Sequence, residues 1–193
     1  MRSIKINLIL IFVSIVLSCV SQAQSKVSAG ALMLFGSGTM GNSTDVLSRS
    51  MIYTPIELFA GYNIKKFRIG FNYEYNLAGQ SEDPANLGNQ NVGGKGTAMG
   101  LRFDYYDGKQ SAGLVYHMSE KYTLDKPTIL GTTADYDGKS GFSLQYYRQL
   151  KKKVGIVLDY TIVELKSSAG NTADIKFNRI GVGIVFTNFA GSN

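Results

Sequence analysis

The sequence predicts an all-β fold: one eight-stranded antiparallel up-and-down transmembrane β-barrel. Three observations predict it. Segments of alternating apolar and polar residues recur eight times, the period-2 signature of strands with one face toward an apolar phase. The connections between them alternate short and long, as turns and loops do at the two rims of a membrane barrel. The composition holds 22 Gly and 12 Tyr but only 3 Pro and no Trp, which suits long strands with aromatic girdles. A soluble β-sandwich shares the strand-rich, turn-rich look. It rarely sustains so many apolar residues on one strand face beside charges on the other.

The first strand sets Val27, Ala29, Ala31, Met33 and Phe35 against Lys26, Ser28 and Gly30. The second sets Ile56, Leu58, Ala60, Tyr62 and Ile64 against Glu57, Gly61 and Asn63, with Pro55 at its start. The third is the clearest: Phe67, Ile69, Phe71, Tyr73, Tyr75 and Leu77 oppose Arg68, Gly70, Asn72, Glu74 and Asn76. It is long enough to cross a bilayer, which takes about 9–11 tilted strand residues. Met99 to Tyr105, Ala112 to Met118, Phe142 to Tyr146, Val154 to Ile162 and Ile180 to Phe186 complete the set. Short connections fall at Lys65-Lys66, Asp107-Gly108-Lys109 and Lys151-Lys152-Lys153; Asp-Gly is itself a strong hairpin signal. Long ones cover about 36–50, 78–96, 122–139 and 166–174, rich in Gly, Asn, Ser, Thr and Asp like surface loops.

Residues 1–23 read as a secretory signal peptide. Arg2 and Lys5 precede an apolar run from Leu8 to Leu17, and Ser21-Gln22-Ala23 offers a cleavage site. The barrel domain is then 24–193. The only cysteine is Cys19, and a lipoprotein signal is the competing reading of that segment. The formal charge of +6 loses two bases on cleavage, too mild an excess to point to nucleic acid. A single histidine and that single cysteine leave no usual zinc ligand set, and no cofactor motif is present.

If the apolar faces meet lipid, the others line the lumen. Their charges are Glu57, Arg68, Glu74, Arg102, Asp104, Asp159 and Arg179. This near-balanced set suits a small barrel filled by paired side chains. A symmetric Lys65-Lys66 turn sets Glu57 opposite Glu74. The expected solution is an Arg102 bridge to both, with Asp159–Arg179 as a second pair.

On these features the chain resembles the small eight-stranded outer-membrane barrels, the group of OmpA-, OmpX- and opacity-type proteins. Arg179-Ile180-Gly181-Val182-Gly183-Ile184-Val185-Phe186 resembles their terminal-strand signal for the barrel assembly machinery, with Arg179, Gly181, Ile184 and Phe186 at the reading positions. Here Thr187 to Asn193 follow the aromatic. The resemblance implies a Gram-negative outer-membrane location with both termini periplasmic. It also implies contact with outer-membrane lipid and lipopolysaccharide. Its members include structural barrels, adhesins and receptors, solute passages and a few lipid-modifying enzymes.

One catalytic-looking feature remains. His117-Met118-Ser119 resembles the His-x-Ser pair of outer-membrane lipid A deacylases, and in a strand these two side chains share a face, here the inward one. No acid stands at a convincing position: Glu120 falls on the other face and Asp135 in a loop. The expectation is a non-enzymatic structural or surface-interaction barrel whose extracellular loops carry any ligand. The alternatives are a deacylase using Ser119 and His117, or a narrow passage for small or hydrophobic solutes.

Overall fold

The computed structural model describes residues 27–42, 49–78, 93–124, 134–168 and 174–187. The expected signal segment, with Cys19, lies outside the described residues. Eight strands form one closed antiparallel barrel: β1 (Val27–Asn42), β2 (Arg49–Ile64), β3 (Phe67–Ala78), β4 (Gly94–Asp107), β5 (Gln110–Leu124), β6 (Ala134–Lys151), β7 (Val154–Ser167) and β8 (Ile175–Thr187). Each strand pairs with its sequence neighbours, and β1 closes on β8 from Gly30–Thr187 to Asn42–Ile175. Every hairpin on one rim turns in two residues, and in two of the three Lys65 (φ 53°) and Gly108 (φ 61°) take the left-handed conformation. Each turn is also tied to the adjacent strand. The carbonyls of Lys66, Lys109 and Lys153 accept from the amides of Tyr106, Gln149 and Thr187.

The apolar columns face outward. Phe71 is 67 % and Ile180 65 % exposed, amid a continuous belt of outward Phe, Tyr, Ile, Leu and Met. A soluble monomer rarely exposes contiguous apolar patches beyond a few hundred Å². One register row runs Phe71–Leu101–Tyr116–Phe142–Ile162 and ends on Asn178. The row leaves the belt at β8 because the strands of a closed barrel are tilted and staggered.

The strands run further than the apolar alternation predicts. The 18 residues of β6 make a strand about 60 Å long, against the 9–11 that cross hydrocarbon. Parts of all four expected long loops are strand. Alternation continues there with its sense reversed. On β7, Leu158, Tyr160 and Ile162 point out below, but Glu164 and Lys166 point out above, where Val163 and Leu165 are fully buried. On β8, Phe177 and Ile175 point in while Lys176 points out. This upper part has the polar-out, apolar-in arrangement of a structure standing in water. Inside it Tyr53, Tyr122, Tyr136, Val163, Leu165, Ile175 and Phe177 form one apolar cluster. Phe177 stacks on Tyr53 and meets Tyr122 edge-on, both at 5.4 Å between centroids.

Pro55 lies within β2, not at its start. The β1–β2 ladder skips from Met33–Ile56 to Gly36–Tyr53, so the missing proline N–H falls where no partner is engaged.

The two zones predict opposite sensitivities. Ile180→Lys, in the belt, should cost about 2–4 kcal/mol of stability in bilayers, and Lys166→Ala, above it, less than about 0.5 kcal/mol. Leu165→Ala, in the upper cluster, should cost about 2–5 kcal/mol. Reversible urea unfolding in lipid vesicles measures all three.

Candidate functional site

The lumen is filled in layers. Near the short-turn rim, Leu32, Leu34, Phe59, Tyr106, Tyr147, Val157 and Val185 form a second apolar cluster. Between it and the upper cluster lies a polar layer whose residues all come from inward columns. Arg68, Glu74 and Asn72 stand on β3, Arg102 and Asp104 on β4, Gln145 and Ser143 on β6, Asp159 and Thr161 on β7, and Arg179 on β8. All are at most 4 % exposed. Charges so placed must be matched, since one left alone costs several kcal/mol.

The matching proceeds through three arginines. Arg68 donates through Nε to Asp104 Oδ2 at 2.7 Å, with its Nη2 at 2.6 Å. Arg102 donates to the same oxygen at 2.9 Å, to Asn72 at 3.2 Å and to Gln145 Oε1 at 2.9 Å, and also contacts the Tyr147 hydroxyl. Aromatic rings hold the guanidinium planes: Phe59 lies 4.5 Å from Arg68 and 4.1 Å from Arg102, a cation–π arrangement. Arg179 binds Glu74 through two parallel bonds of 2.9 and 3.0 Å and reaches Asp159 at 3.3 Å. Gln145 links the groups, its amide donating to Glu57 at 2.8 Å and Asp159 at 3.0 Å.

The register sets Glu57 opposite Glu74, yet the two carboxylates do not share Arg102. Arg102 approaches Glu57 at 3.6 Å, whereas Glu74 is held by Arg179 from β8. The expected Arg102–Glu74 contact is therefore corrected. Stagger brings β8 to the height of Glu74 across the lumen, which equal distance from a turn does not reveal. Asp159 and Arg179 do meet, as neighbours on β7 and β8.

The His117 region differs more. Met99 pairs with Ser119 while the next residue, Gly100, pairs with His117. Met118 is thus an extra residue, a β-bulge. Past it the inward phase moves from odd to even positions. Ser119 is exposed on the outer wall, and Glu120, expected outside, is buried at 3 %. The expected inward His117–Ser119 pair does not exist. His117 Nε2 instead lies 2.8 Å from Ser143 Oγ, and its Nδ1 lies 2.8 Å from Glu120 Oε1. Ser143 continues to Thr161 at 2.7 Å, and Thr161 donates to Asp159 at 3.0 Å. Glu120 fits because β6 carries Gly138 and Gly141 against it; a Cβ at either would meet its side chain at 2.6–2.7 Å. A matching irregularity in β6 lies between Gly138 and Ser140. Alternation puts Ser143, Gln145 and Thr161 on inward columns, but their partners and the burial of Glu120 escaped the sequence reading. The visible signals were the two glycines and the polar inward column of β6.

Glu120–His117–Ser143 has the acid–imidazole–hydroxyl order of a nucleophilic triad. Ser143 is 1 % exposed, lies beneath the upper aromatic cluster, and its hydroxyl is engaged by Thr161. Buried in this way, the group is part of the polar filling of the wall. Of the terminal-strand residues, Ile184 and Phe186 point outward, Gly181 inward, and Arg179 belongs to the network.

Arg179→Leu leaves Glu74 buried without its counter-charge and should cost about 3–5 kcal/mol. Adding Glu74→Leu should return part of that loss, Asp159 still lacking its arginine, a coupling read from a double-mutant cycle of unfolding free energies. Ser119→Ala should change stability by less than about 0.5 kcal/mol, while Ser143→Ala should cost about 1–3 kcal/mol by stripping a partner from buried His117 and Thr161.

No protein-family model matches the sequence, and no curated protein does. Among solved structures the chain is similar to Neisserial surface protein A. The TM-score is 0.55 at 14 % identity, over 84 % of this chain and 97 % of that one. The attachment invasion locus protein Ail of Yersinia pestis gives 0.49 at 8 % identity, covering 85 % and 99 %. The outer membrane protein OprG of Pseudomonas aeruginosa gives 0.46 at 9 %, covering 86 % and 98 %. At such identities the likeness is one of fold: this chain has the fold of the small eight-stranded outer-membrane barrels.

Proposed function

We propose that the protein is a non-enzymatic outer-membrane barrel that holds its long connections at the cell surface, where they engage an extracellular ligand. The observation that carries this reading is the combination of an outward apolar belt with a lumen filled from rim to rim. In this reading the barrel is an anchor, and ligand contact falls to the connections following β1, β3, β5 and β7. Fold alone does not select this role; the sealed interior favours it over the alternatives. A deacylase would need its serine within reach of the imidazole that activates it, yet Ser119 and His117 stand on opposite sides of the wall. A solute passage would need a lumen wider than Arg102 clasped between Phe59 and Tyr147.

The even strand number and the short turns on the rim where the described chain begins and ends support periplasmic termini. The strand extensions above the belt would then stand among lipopolysaccharide sugars. The outward column of β8 offers Ile184 and Phe186 to the barrel assembly machinery, with Arg179 and Gly181 in the same strand.

Four measurements test the reading. Lipid A mass spectra of cells expressing the protein should show no acyl loss relative to cells lacking it. Single-channel recording in planar bilayers should show no discrete conductance steps. Exchanging segments 79–93 and 125–133 for those of an unrelated eight-stranded barrel should abolish binding of intact cells to a host or matrix ligand without lowering the amount of folded barrel. Phe186→Ala should reduce folded barrel in the outer membrane while leaving refolding in detergent intact.

A further inference from the structure

The short-turn rim carries a charge that nothing in the proposed role uses. All three turns are lysine-bearing and exposed: Lys65 and Lys66 between β2 and β3, Lys109 between β4 and β5, and Lys151, Lys152 and Lys153 between β6 and β7. Among the described residues Asp107 is the only exposed acid at this rim, and it is taken by Lys66 at 3.0 Å. That pairing holds the Lys66 ammonium above its ordinary pKa, chiefly through the hydrogen bond to Asp107. Among the described residues the opposite rim is balanced by comparison. There Glu164 lies 3.9 Å from Lys139 and 3.5 Å from Lys176, and Lys121 faces Asp137 across the β5–β6 ladder.

Height and rigidity give the collar an address. The apolar belt ends directly above the turns, where Ile64, Phe67, Tyr105 and Tyr146 are exposed. Phe67 and Tyr105 pack against each other at 5.3 Å. Aromatic rings of this kind mark the interface between hydrocarbon and headgroups, so the lysines stand at the level of the phosphates. The turn backbones are tied down, each bonded to the adjacent strand at Lys66, Lys109 or Lys153. Ammonium groups fixed around a ring at phosphate height attract acidic headgroups, each worth a factor of about five near a charged surface.

We propose that this rim is a binding collar for anionic phospholipid, selecting phosphatidylglycerol-like headgroups in the leaflet that faces the short turns. The proposal rests on the membrane reading but not on the role of the long connections. It goes beyond anchoring: the barrel gathers acidic lipid on one side, and that lipid favours one orientation in the bilayer.

The test uses the full barrel refolded into phosphatidylcholine vesicles containing spin-labelled phosphatidylglycerol or spin-labelled phosphatidylcholine. The motionally restricted fraction of each label gives their relative affinity for the barrel surface. Wild type should prefer phosphatidylglycerol several-fold. Replacing Lys65, Lys109, Lys151, Lys152 and Lys153 by Gln should bring the ratio to about one, whereas Lys95→Gln with Lys121→Gln and Lys166→Gln on the opposite rim should leave it. Salt of about 1 M, where the Debye length is about 3 Å, should abolish the preference in wild type even if the collar variant fails to fold. Inorganic phosphate at matched ionic strength should not compete, which separates a headgroup site from a free-phosphate site. Equal affinity for both labels in wild type, or a preference lost equally from either rim, overturns the collar. Failure of wild type to insert into neutral vesicles, seen as absence of the heat-dependent gel shift of a folded barrel, overturns the membrane reading itself.

Discussion

Closing eight strands on themselves is the constraint from which the rest of this structure follows. Closure satisfies every ladder and leaves no strand edge in an apolar medium. It also fixes a lumen only wide enough for side chains. Whatever points inward must therefore be packed or paired, and whatever points outward must suit its surroundings at that height. The β1–β8 seam makes this geometry complete and brings Arg179, near the end of the chain, onto Glu74.

The lumen answers that constraint by layers. Apolar clusters above and below enclose a polar layer where three arginines meet acids from β2, β3, β4 and β7. Two of the guanidinium groups lie against aromatic rings, so even the charged layer is packed. Side chains anchored in opposite walls and bonded across the lumen resist both collapse and opening. The excess of cations at the short-turn rim suits contact with an acidic leaflet.

Much of this was legible in the sequence because period 2 is a local property. Eight strands, three tight turns and the inward charges follow from alternation and spacing. Reading lost ground where alternation changed its meaning. On β7 the apolar column moves from Ile162 to Val163 as the strand leaves the membrane, and a reader following one column stops there. On β5 the bulge at Met118 shifts the phase, sending Ser119 out and Glu120 in. Gly138 and Gly141 on the facing strand are the local trace of that event, but only the pairing shows that they make room for a carboxylate.

The sequence by itself determined the fold class, the strand count, the inward charges and the opposition of Glu57 to Glu74, since a two-residue turn fixes the register of its own hairpin. Only the tertiary structure decided which charges meet across the lumen. Arg179 takes Glu74, 105 positions away, and Arg102 takes Asp104 with Glu57. The physical reason is stagger: hydrogen-bonded rows climb around a closed barrel, so height on opposite walls depends on every register between them. A single bulge in β5 was then enough to replace the expected His117–Ser119 pair with Glu120–His117–Ser143.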